Sequence, residues 1–572
     1  MFLATPRSLM PMPVGNKWRR MSLDVQAIAT GSSELGSASV AASGPLTQMP
    51  PGFRNDDWAA AFQSQPSEYS YWIDEIEGTI PEGLRGTLFR NGPGNFERGK
   101  QKYHHMLDGD GYVCAFSFNF DGRVHFKSRY VRTRELINEE RENRVLYRNT
   151  FGTQKAGGPL RNAFDLQLKN PANTNVIVWG RRLFALWEAG APYELDPFTL
   201  QTKPEPATLD GWIAHGVAPS TTGSATLDRT LGLGNALTAH PHVQAGDEET
   251  ARLVTWSWQS RLRPMGQADM SIDIREYDSD WRHVAGASFN MEDCFFNPHD
   301  FAFSATTHVF FQNSCSFAMV PYLLGIKGPA QCVELTDAPM KIFLVPRDAS
   351  KPKVVEADPC FLIHHANGYD DGDEVVVWSS GWGPDVIKKL AAKANGGGML
   401  GSWKVVMQGD FSDIPVTRLW RHRVNKVTGE VSRDVLFERS MDHPRVNPLF
   451  YGKPTRYVFF NMSATTSNSE SKPPQAFTRL DTHSGDVQSW FPGERCFCEE
   501  LIFVPGPQGA TKEDDGYLLG MVFDAEKDRS MLVVLDASDF NKGPIARIWL
   551  QHKVPHGLHG YFSDLYFGPH LQ

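Results

Sequence analysis

Four of the 18 histidines lie in similar surroundings in the sequence. His240, His299, His364 and His559 each stand beside turn residues at the edge of an apolar segment. The first three follow one another at intervals of 59 and 65 residues, and the last interval is three times 65 residues. Neutral imidazoles bind Fe(II), Zn and Cu. The regular spacing therefore predicts a metal site, although equal intervals also arise by chance among structural histidines.

The segments around these histidines indicate strands rather than helices. From Trp58 onward, short runs of β-branched and aromatic residues alternate with turns rich in Gly, Pro, Asn and Asp, as in 123–131, 251–258 and 374–378. Such a succession, without long amphipathic helices between its members, predicts an all-β fold. Residues 384–393 are among the few segments that favour a helix, and that helix would be short.

A β-propeller is the natural candidate for an all-β chain of this length. An open sheet leaves unpaired edge strands, so a long all-β chain closes on itself or repeats radially. One blade with its loops takes roughly 40–65 residues. The histidine spacing then predicts one histidine per blade, directed at the central axis, with two blades skipped before His559.

The composition excludes several classes of protein. Of the 572 residues, 41% are hydrophobic and 22% are charged, so the chain is globular rather than disordered throughout. A net charge of −9 argues against nucleic-acid binding, which requires a basic face. No apolar run is long enough for a membrane-spanning helix. Seven cysteines leave at least one thiol unpaired, which favours an intracellular, reducing compartment over secretion.

The first 50 residues differ from the rest of the chain. They contain seven Ser and four basic residues, but only Asp24 and Glu34 as acids. A Ser-rich, basic and acid-poor start resembles an organelle transit peptide, and the alternative is a disordered tail. We therefore expect an N-terminal extension over 1–50 and a β-propeller domain over 51–572. The location would be a plastid if the extension is a transit peptide, and the cytoplasm otherwise.

A series of short motifs identifies the chain with a known family. They are Gly86-Thr-Leu-Phe-Arg-Asn-Gly-Pro-Gly94, Asp108-Gly-Asp-Gly111, Asn173-Thr-Asn175, Leu186-Trp-Glu188, Asn297-Pro-His-Asp300, His364-His-Ala-Asn367, Glu513-Asp-Asp-Gly516 and Gly557-Leu-His-Gly560. In this order they resemble the carotenoid cleavage oxygenases, and most closely the cyanobacterial apocarotenoid-cleaving type. The resemblance extends from about Trp58 to Phe562.

The resemblance implies a fold, a cofactor and a reaction. The fold is a seven-bladed β-propeller with a few short helices that form a cap over a tunnel. The cofactor is one Fe(2+) per chain, held by His240, His299, His364 and His559, with O2 as co-substrate. Four neutral ligands leave the ion its full charge and open positions, whereas a zinc hydrolase more often mixes histidine with a carboxylate. The reaction is the oxidative cleavage of a conjugated C=C bond to aldehyde or ketone products.

The family also places three acidic residues around the ligand histidines. Metal-bound histidines usually donate their second N–H to a carboxylate, which fixes the tautomer. Glu188 and Glu500 match two of these positions, and the expected pairs are Glu188 with His299 and Glu500 with His559. Glu499 is the alternative to Glu500.

Two further residues match positions of the family, and for each of them an alternative stays open. The third acidic position falls on Asp442, in Met-Asp-His-Pro, where the family commonly has Glu-Phe-Pro. Because Asp is one methylene shorter, we expect it to reach His364 only through a water or a shifted backbone. Thr174 matches a family residue beside an open iron position, and its alternative role is packing within a strand.

Four more histidines are neighbours of the predicted site in sequence, namely His242, His365, His443 and His556. Side chains alternate between the two faces of a strand, so we expect these residues to point away from the metal.

The partner implied by the family is an apolar polyene, which must be extracted from a membrane. Residues 317–326 are apolar and precede Lys327, so they could dip into a bilayer beside the tunnel mouth; the alternative is a buried loop. No nucleic-acid or obligatory protein partner is indicated. Two other functions stay open, a stilbene-cleaving oxygenase of the same family and a propeller that serves as a binding scaffold without catalysis.

Overall fold

The strand-rich sequence folds into seven sheets, antiparallel except for the pairing of β12 with β15, which form the blades of a β-propeller. The computed structural model describes residues 52–247, 249–263, 268–392, 406–506 and 512–569. The predicted extension over 1–50 lies outside the described residues, and its role as a transit peptide stays a prediction. Within the described ranges, no helix has the length and apolar character needed to cross a membrane.

The first four blades are built from residues 69–357 and one late strand, β36. Blade 1 contains β1 (Tyr69–Trp72), β3 (Gly86–Arg90), β4 (Pro93–Asn95), β7 (Asp110–Phe118), β8 (Val124–Tyr130) and β36 (Gly560–Ser563). Blade 2 contains β9 (Asn175–Trp179), β10 (Arg182–Leu186) and β11 (Tyr193–Leu195). Blade 3 contains β12 (Ser220–Thr221), β13 (Ala236–Leu237), β14 (His242–Gln244), β15 (Arg252–Leu262), β16 (Ala268–Tyr277) and β17 (His283–Met291). Blade 4 contains β18 (Ala302–Phe303), β19 (Thr307–Gln312), β22 (Met340–Pro346) and β23 (Lys353–Ala357).

The other three blades are built from residues 361–549 and one early strand, β2. Blade 5 contains β24 (Phe361–Asp371), β25 (Glu374–Trp382), β26 (Arg418–Asn425) and β27 (Val431–Phe437). Blade 6 contains β28 (Met441–Arg445), β29 (Tyr457–Ser463), β30 (Pro474–Asp481) and β31 (Val487–Trp490). Blade 7 contains β2 (Glu75–Gly78), β32 (Cys496–Pro505), β33 (Gly516–Asp524), β34 (Arg529–Asp536) and β35 (Pro544–Trp549). Two small hairpins lie outside the blades, β5 (Glu97–Arg98) with β6 (Gln101–Lys102) and β20 (Cys315–Phe317) with β21 (Val333–Leu335).

The described helices are few and short, as the sequence predicts. They are α1 (Asn55–Ala59), α2 (Arg134–Glu142), α3 (Pro159–Asn162), α4 (Ala225–Leu231), α5 (Met319–Leu323) and α6 (Pro384–Ala391). Single 3₁₀ turns cover Met106–Asp108, Ala330–Cys332, Pro448–Phe450 and Phe540–Lys542. The helix α6 confirms the prediction for the segment that begins at residue 384.

Burial distinguishes the strands near the axis from those farther out. Every residue of β3 and β9 is buried, since blade faces and neighbouring strands enclose them on all sides. In β16, by contrast, buried and half-buried residues alternate along most of the strand, as expected for a period of two. Large side chains such as Trp256 and Trp378 fill the spaces between blades and are fully buried. The core therefore consists of apolar layers between blades around a central axis.

The ring is closed at two places by strands from opposite ends of the chain. β36 pairs antiparallel with β3 in blade 1, and β2 pairs antiparallel with β35 in blade 7. Closure removes two sheet edges that would otherwise be open for aggregation. It also brings residue 559, which directly precedes β36, beside the N-terminal blade.

Candidate metal centre

The four predicted histidines converge on the axis of the propeller. One nitrogen of each lies within 4.8 Å of the corresponding nitrogens of the other three. His240 lies between β13 and β14, His299 precedes β18, His364 lies in β24 and His559 precedes β36. They come from blades 3, 4, 5 and 1, so blades 6 and 7 are skipped before the last histidine. The predicted arrangement of one histidine per blade with two blades skipped is confirmed.

Each of three histidines hydrogen-bonds a carboxylate through Nδ1, which leaves Nε2 for the centre. His299 Nδ1 lies 2.5 Å from Glu188 Oε2, and His559 Nδ1 lies 2.9 Å from Glu500 Oε1. The structure thus forms both expected pairs. An ionised carboxylate only accepts hydrogen bonds, so these contacts fix the proton on Nδ1 and a lone pair on Nε2.

The third pair is also direct. His364 Nδ1 lies 2.8 Å from Asp442 Oδ1, with no water between them. The Ser380 hydroxyl donates to the same oxygen at 2.8 Å and also accepts from the backbone N–H of His364 at 3.4 Å. These contacts close a ring of hydrogen bonds around the shorter carboxylate. Of the two expected routes, the direct distance leaves no place for a bridging water, whereas the irregular register of β28 between Asp442 and Arg445 agrees with a shifted backbone. Ser380 from β25 is the partner that the sequence did not reveal.

Irregularities in three strands direct these side chains to the axis. The register of β24 shifts around residues 362–367, that of β28 shifts between Asp442 and Arg445, and that of β32 shifts between Cys498 and Leu501. A β-bulge interrupts strict alternation and re-aims a side chain. In β32, Glu500 therefore faces His559 while its neighbour Glu499 binds Arg90 at 2.6 Å. Glu500, not Glu499, is the carboxylate at the centre.

Burial favours the neutral imidazole, the form that binds metals, at two of the four histidines. Burial, and then repulsion from the neighbouring imidazoles, holds the pKa of His240 well below its ordinary value. Burial lowers the pKa of His559 to about 3 despite the adjacent Glu500. Burial opposes charge on His299 as well, but Glu188 outweighs it and raises the pKa of His299. Arg445 and His559 hold the pKa of Glu500 well below its usual range although burial acts in the opposite direction.

The spacing of the nitrogens fits a metal ion. His240 Nε2 and His299 Nε2 are 2.9 Å apart, and His299 Nε2 and His364 Nε2 are 3.3 Å apart. Metal–imidazole bonds of about 2.1 Å that meet at a right angle place two nitrogens about 3 Å apart. Since Nδ1 carries the proton on His299 and His364, their two Nε2 lone pairs face each other and need a cation between them. The donor set therefore fits a divalent metal that binds imidazole, such as iron.

Comparison with known proteins identifies the family. A protein-family model described as retinal pigment epithelial membrane protein matches residues 62–564. The chain belongs to the carotenoid cleavage oxygenase family. The match spans all seven blades, and the family consists of oxygenases that use O2. The chain is accordingly an oxidoreductase, and the resemblance found in the motifs is confirmed.

Individual relatives of this carotenoid cleavage oxygenase match over nearly their whole length. Apocarotenoid-15,15'-oxygenase of Synechocystis is 35% identical over 528 residues, which cover 91% of this chain and 99% of that protein. Isoeugenol monooxygenase of Pseudomonas nitroreducens is 27% identical over 85% of this chain and 93% of its own length. The crystal structure of cobalt-substituted Synechocystis apocarotenoid oxygenase superposes with a TM-score of 0.78 at 33% identity, covering 90% of this chain and 100% of that one.

Thr174 directly precedes β9, the strand of blade 2 that begins at Asn175. Its hydroxyl donates to Asn173 Oδ1 at 3.3 Å, and its backbone N–H donates to Leu186 O at 3.1 Å. The residue is largely buried, with 8% of its surface exposed. Its role beside an open iron position of this oxygenase stays a prediction.

One neighbouring histidine does not turn away from the centre. His242 binds Asp300, His365 binds Ser379 and His556 stacks on Trp58, as expected for residues outside the site. The ring of His443, however, lies 5.0 Å from that of His364 and 5.1 Å from that of His559. Alternation fails there because His443 has a φ of 52° within the irregular part of β28. The expectation for His443 was wrong.

The direct contact of Asp442 leads to a prediction about metal affinity. Asp442→Asn should weaken Co(2+) binding by about 10–100-fold, the usual effect of losing such a partner, and as much as Glu188→Gln. Ser380→Ala leaves the carboxylate in place and removes one hydrogen bond to it, so it should weaken Co(2+) binding by a smaller factor than Asp442→Asn. Competition titration of Co(2+) with a chelator measures both changes.

Ser440→Ala provides the matched control, since Ser440 is a buried serine whose hydroxyl pairs with Ser471 at 3.2 Å. It should bind Co(2+) like the wild type. Wild-type affinity in Asp442→Asn would mean that the contact with His364 is incidental.

Proposed function

We propose that this chain is a non-haem iron dioxygenase that cleaves a conjugated C=C bond of an apocarotenoid, with His240, His299, His364 and His559 as the ligands of Fe(2+). The observation that carries this proposal is the convergence of four imidazole nitrogens within 4.8 Å on the axis of a propeller of this family. When bound, the iron supplies the binding and activation of O2 next to the alkene. The 35% identity with an apocarotenoid-15,15'-oxygenase favours an apocarotenoid as the substrate.

The protein's own residues hold and expose this centre. Although they lie at the axis, the side chains of His299, Glu188 and Asp442 are 22%, 19% and 31% exposed. We infer from this exposure that an internal space reaches the centre, as a long apolar substrate requires. The carboxylates hold each imidazole in one tautomer, and the enclosing blades exclude bulk water. Acid–base catalysis by a side chain is not needed for this reaction.

An exposed apolar patch supports contact with a membrane. Five side chains around α3 and α5 are strongly exposed, namely Leu160 at 98%, Phe164 at 72%, Val320 at 66%, Leu324 at 41% and Ile326 at 55%. The backbone N–H of Phe164 donates to Leu323 O at 2.7 Å, which joins the two segments. We call these five side chains the apolar patch. Of residues 317–326, only Gly325 is buried, so the alternative of a buried loop is wrong.

The patch is larger than the sequence predicts, because it includes two side chains from 159–164. Phe164 is also held at a φ of 59°, in the left-handed region that is costly for a bulky residue. A strained backbone that presents a phenylalanine to solvent favours an interfacial role over packing. We infer that the apolar patch enters the bilayer interface and gives a polyene a route into the protein.

Product analysis tests the proposed reaction. The iron-loaded protein is incubated under O2 with a panel of apocarotenals, a full-length carotenoid, resveratrol and isoeugenol, and the carbonyl products are identified by mass. We expect two carbonyl products from an apocarotenal, with no conversion by protein stripped of iron. Turnover of resveratrol or isoeugenol alone would favour cleavage of an aromatic alkene as the function, the reaction to which the isoeugenol monooxygenase relative points. Absence of stoichiometric iron in the purified protein would favour a binding scaffold.

The apolar patch leads to a prediction about vesicle binding. Burial of one Leu or Phe side chain is worth about 1.5–3 kcal/mol. The double variant Leu160→Ser, Phe164→Ser should therefore bind lipid vesicles at least about tenfold more weakly and cleave bilayer-borne substrate more slowly. Cleavage of a short apocarotenal dispersed in detergent should be unchanged. Vesicle co-sedimentation and the two activity assays measure these effects.

Phe120→Ser is the matched control, because Phe120 is 77% exposed but lies between β7 and β8, outside the patch. It should leave vesicle binding unaltered. Equal binding by the double variant and the wild type would contradict a membrane role.

A further inference from the structure

Arg445 is a cation in direct contact with one of the carboxylates at the centre. Its Nε donates to Glu500 Oε1 at 2.9 Å, and its Nη2 donates to the same oxygen. That oxygen also accepts the hydrogen bond from His559 Nδ1 at 2.9 Å. Glu500 Oε2 accepts from the backbone N–H of Gly560 at 2.9 Å. Guanidinium, carboxylate and ligand imidazole therefore form one continuous chain of contacts.

The other two carboxylates have neutral partners apart from their histidines. Asp442 Oδ1 accepts from the Ser380 hydroxyl and from the backbone N–H of His443, both at 2.8 Å. Among the residues that the structure describes, no lysine or arginine forms an ion pair with Asp442 or Glu188. The centre is thus asymmetric, with a counter-charge on the His559 side.

The charges around the centre balance when a divalent ion is bound. The three carboxylates that touch ligand imidazoles carry three negative charges, while a divalent ion and Arg445 carry three positive charges. Asp300, another nearby carboxylate, binds His242 and the backbone N–H of His365 instead of a ligand imidazole. The side chain of Glu500 is fully buried and that of Arg445 is 30% exposed, so water screens this pair weakly.

We propose that Arg445 is a positioning residue that holds Glu500 against His559 and whose charge keeps the bound iron in the ferrous state. This inference rests on the proposed function, since it requires that the four histidines hold iron. A positive charge close to the ion disfavours the ferric state, which carries one more positive charge, and so raises the reduction potential. Without Arg445, Glu500 would accept a stronger hydrogen bond from His559 Nδ1. This stronger bond would increase electron donation from His559 to the iron.

The test measures the reduction potential of the iron-loaded protein in the wild type and three variants. Arg445→Gln should shift the equilibrium toward ferric iron by at least about tenfold, which corresponds to a potential about 59 mV lower. Glu500→Gln removes a negative charge and should shift the potential in the opposite direction. The double variant Arg445→Gln, Glu500→Gln restores the balance and should lie between the single variants, close to the wild type. Spectroelectrochemical titration gives each potential, and metal analysis gives the iron content.

Two further variants separate charge from structure. Arg445→Lys retains the positive charge but lacks the two N–H donors on one edge of the guanidinium. This variant should keep the wild-type reduction potential even if it binds iron more weakly. Arg347→Gln is the matched control, because it breaks another largely buried pair, in which Arg347 Nη2 and Glu276 Oε2 are 2.6 Å apart. It should leave the potential unchanged.

Three outcomes would overturn the inference. One is a wild-type potential in Arg445→Gln with iron bound, and another is an equal shift in Arg445→Lys and Arg445→Gln. If Arg445→Gln does not fold or loses its iron, Glu500→Gln decides, and a potential at or below that of the wild type overturns the inference. A wild-type protein without iron would overturn the proposed function itself, and the metal analysis distinguishes that result from the others.

Discussion

Replacing His240, His299, His364 or His559 with Ala should remove iron retention and alkene cleavage together. Each substitution takes away one of four neutral donors and leaves the remaining lone pairs around an incomplete site. Loss of a partner that only orients a ligand weakens metal binding by about 10–100-fold, so loss of a ligand should exceed that range. Iron content after dialysis and product formation from an apocarotenal are the two measurements.

The control for this series is His422→Ala. The side chain of His422 is as buried as that of His240, with exposures of 1% and 3%, but it lies in β26, away from the centre. Its ring nitrogens have no hydrogen-bond partner among the residues that the structure describes. The variant should keep its iron even if it is less stable. Retention of iron by all four ligand variants would refute the assignment of the metal centre.

Lys169→Met should lower the free energy of unfolding by about 3–5 kcal/mol, because it breaks a fully buried ion cluster. Lys169 Nζ lies 2.6 Å from Asp110 Oδ1 and 2.8 Å from Glu139 Oε2, and all three side chains are 0–1% exposed. Tyr103 Oη accepts from the same ammonium group at 2.9 Å. Without the lysine, Glu139 is left as a buried charge with no cation. Urea denaturation followed by circular dichroism measures the loss.

Lys203→Met serves as the comparison for this cluster. Lys203 pairs with Glu194 at 2.8 Å, and Glu194 is also bound by Arg182, just as Asp110 is also bound by Arg98. Because Lys203 is 58% exposed, its pair should contribute about 1 kcal/mol or less. Equal effects of the two substitutions would mean that the buried cluster contributes no more than a surface pair.

Much of the fold follows from local patterns. The alternation of strand segments and turns predicts an all-β chain, and the need to close its edges predicts a propeller. The spacing of His240, His299 and His364 corresponds to successive blades, and this regularity is visible because each blade uses a similar length of chain. Pairing of Glu188 and Glu500 with their histidines came from the family resemblance, since nothing local in the sequence joins residues so far apart.

The features of the site that the sequence does not predict depend on irregular strand backbone and on contacts between residues far apart in the chain. Strict alternation through β28 would turn His443 away from the centre. The strand is irregular there, and His443 has a φ of 52°. The direct contact of Asp442 depends on Ser380, which is 62 residues away in the sequence. Arg445 carries no pattern that distinguishes it from a surface arginine, and its contact with Glu500 spans 55 residues.

The closure of the ring by β36 has a consequence for how the protein is made. Synthesis proceeds from the N-terminus, and domains fold as the chain emerges. A nascent chain carries His240, His299 and His364 long before it carries His559, whose carbonyl accepts a hydrogen bond from the Asn91 backbone N–H at 2.9 Å. A chain terminated before residue 559 therefore lacks the fourth ligand and leaves β3 without its partner β36. If the four histidines hold the metal as proposed, its loading requires that translation has reached the closing strand, and prematurely terminated chains would be both metal-poor and open to aggregation at a sheet edge.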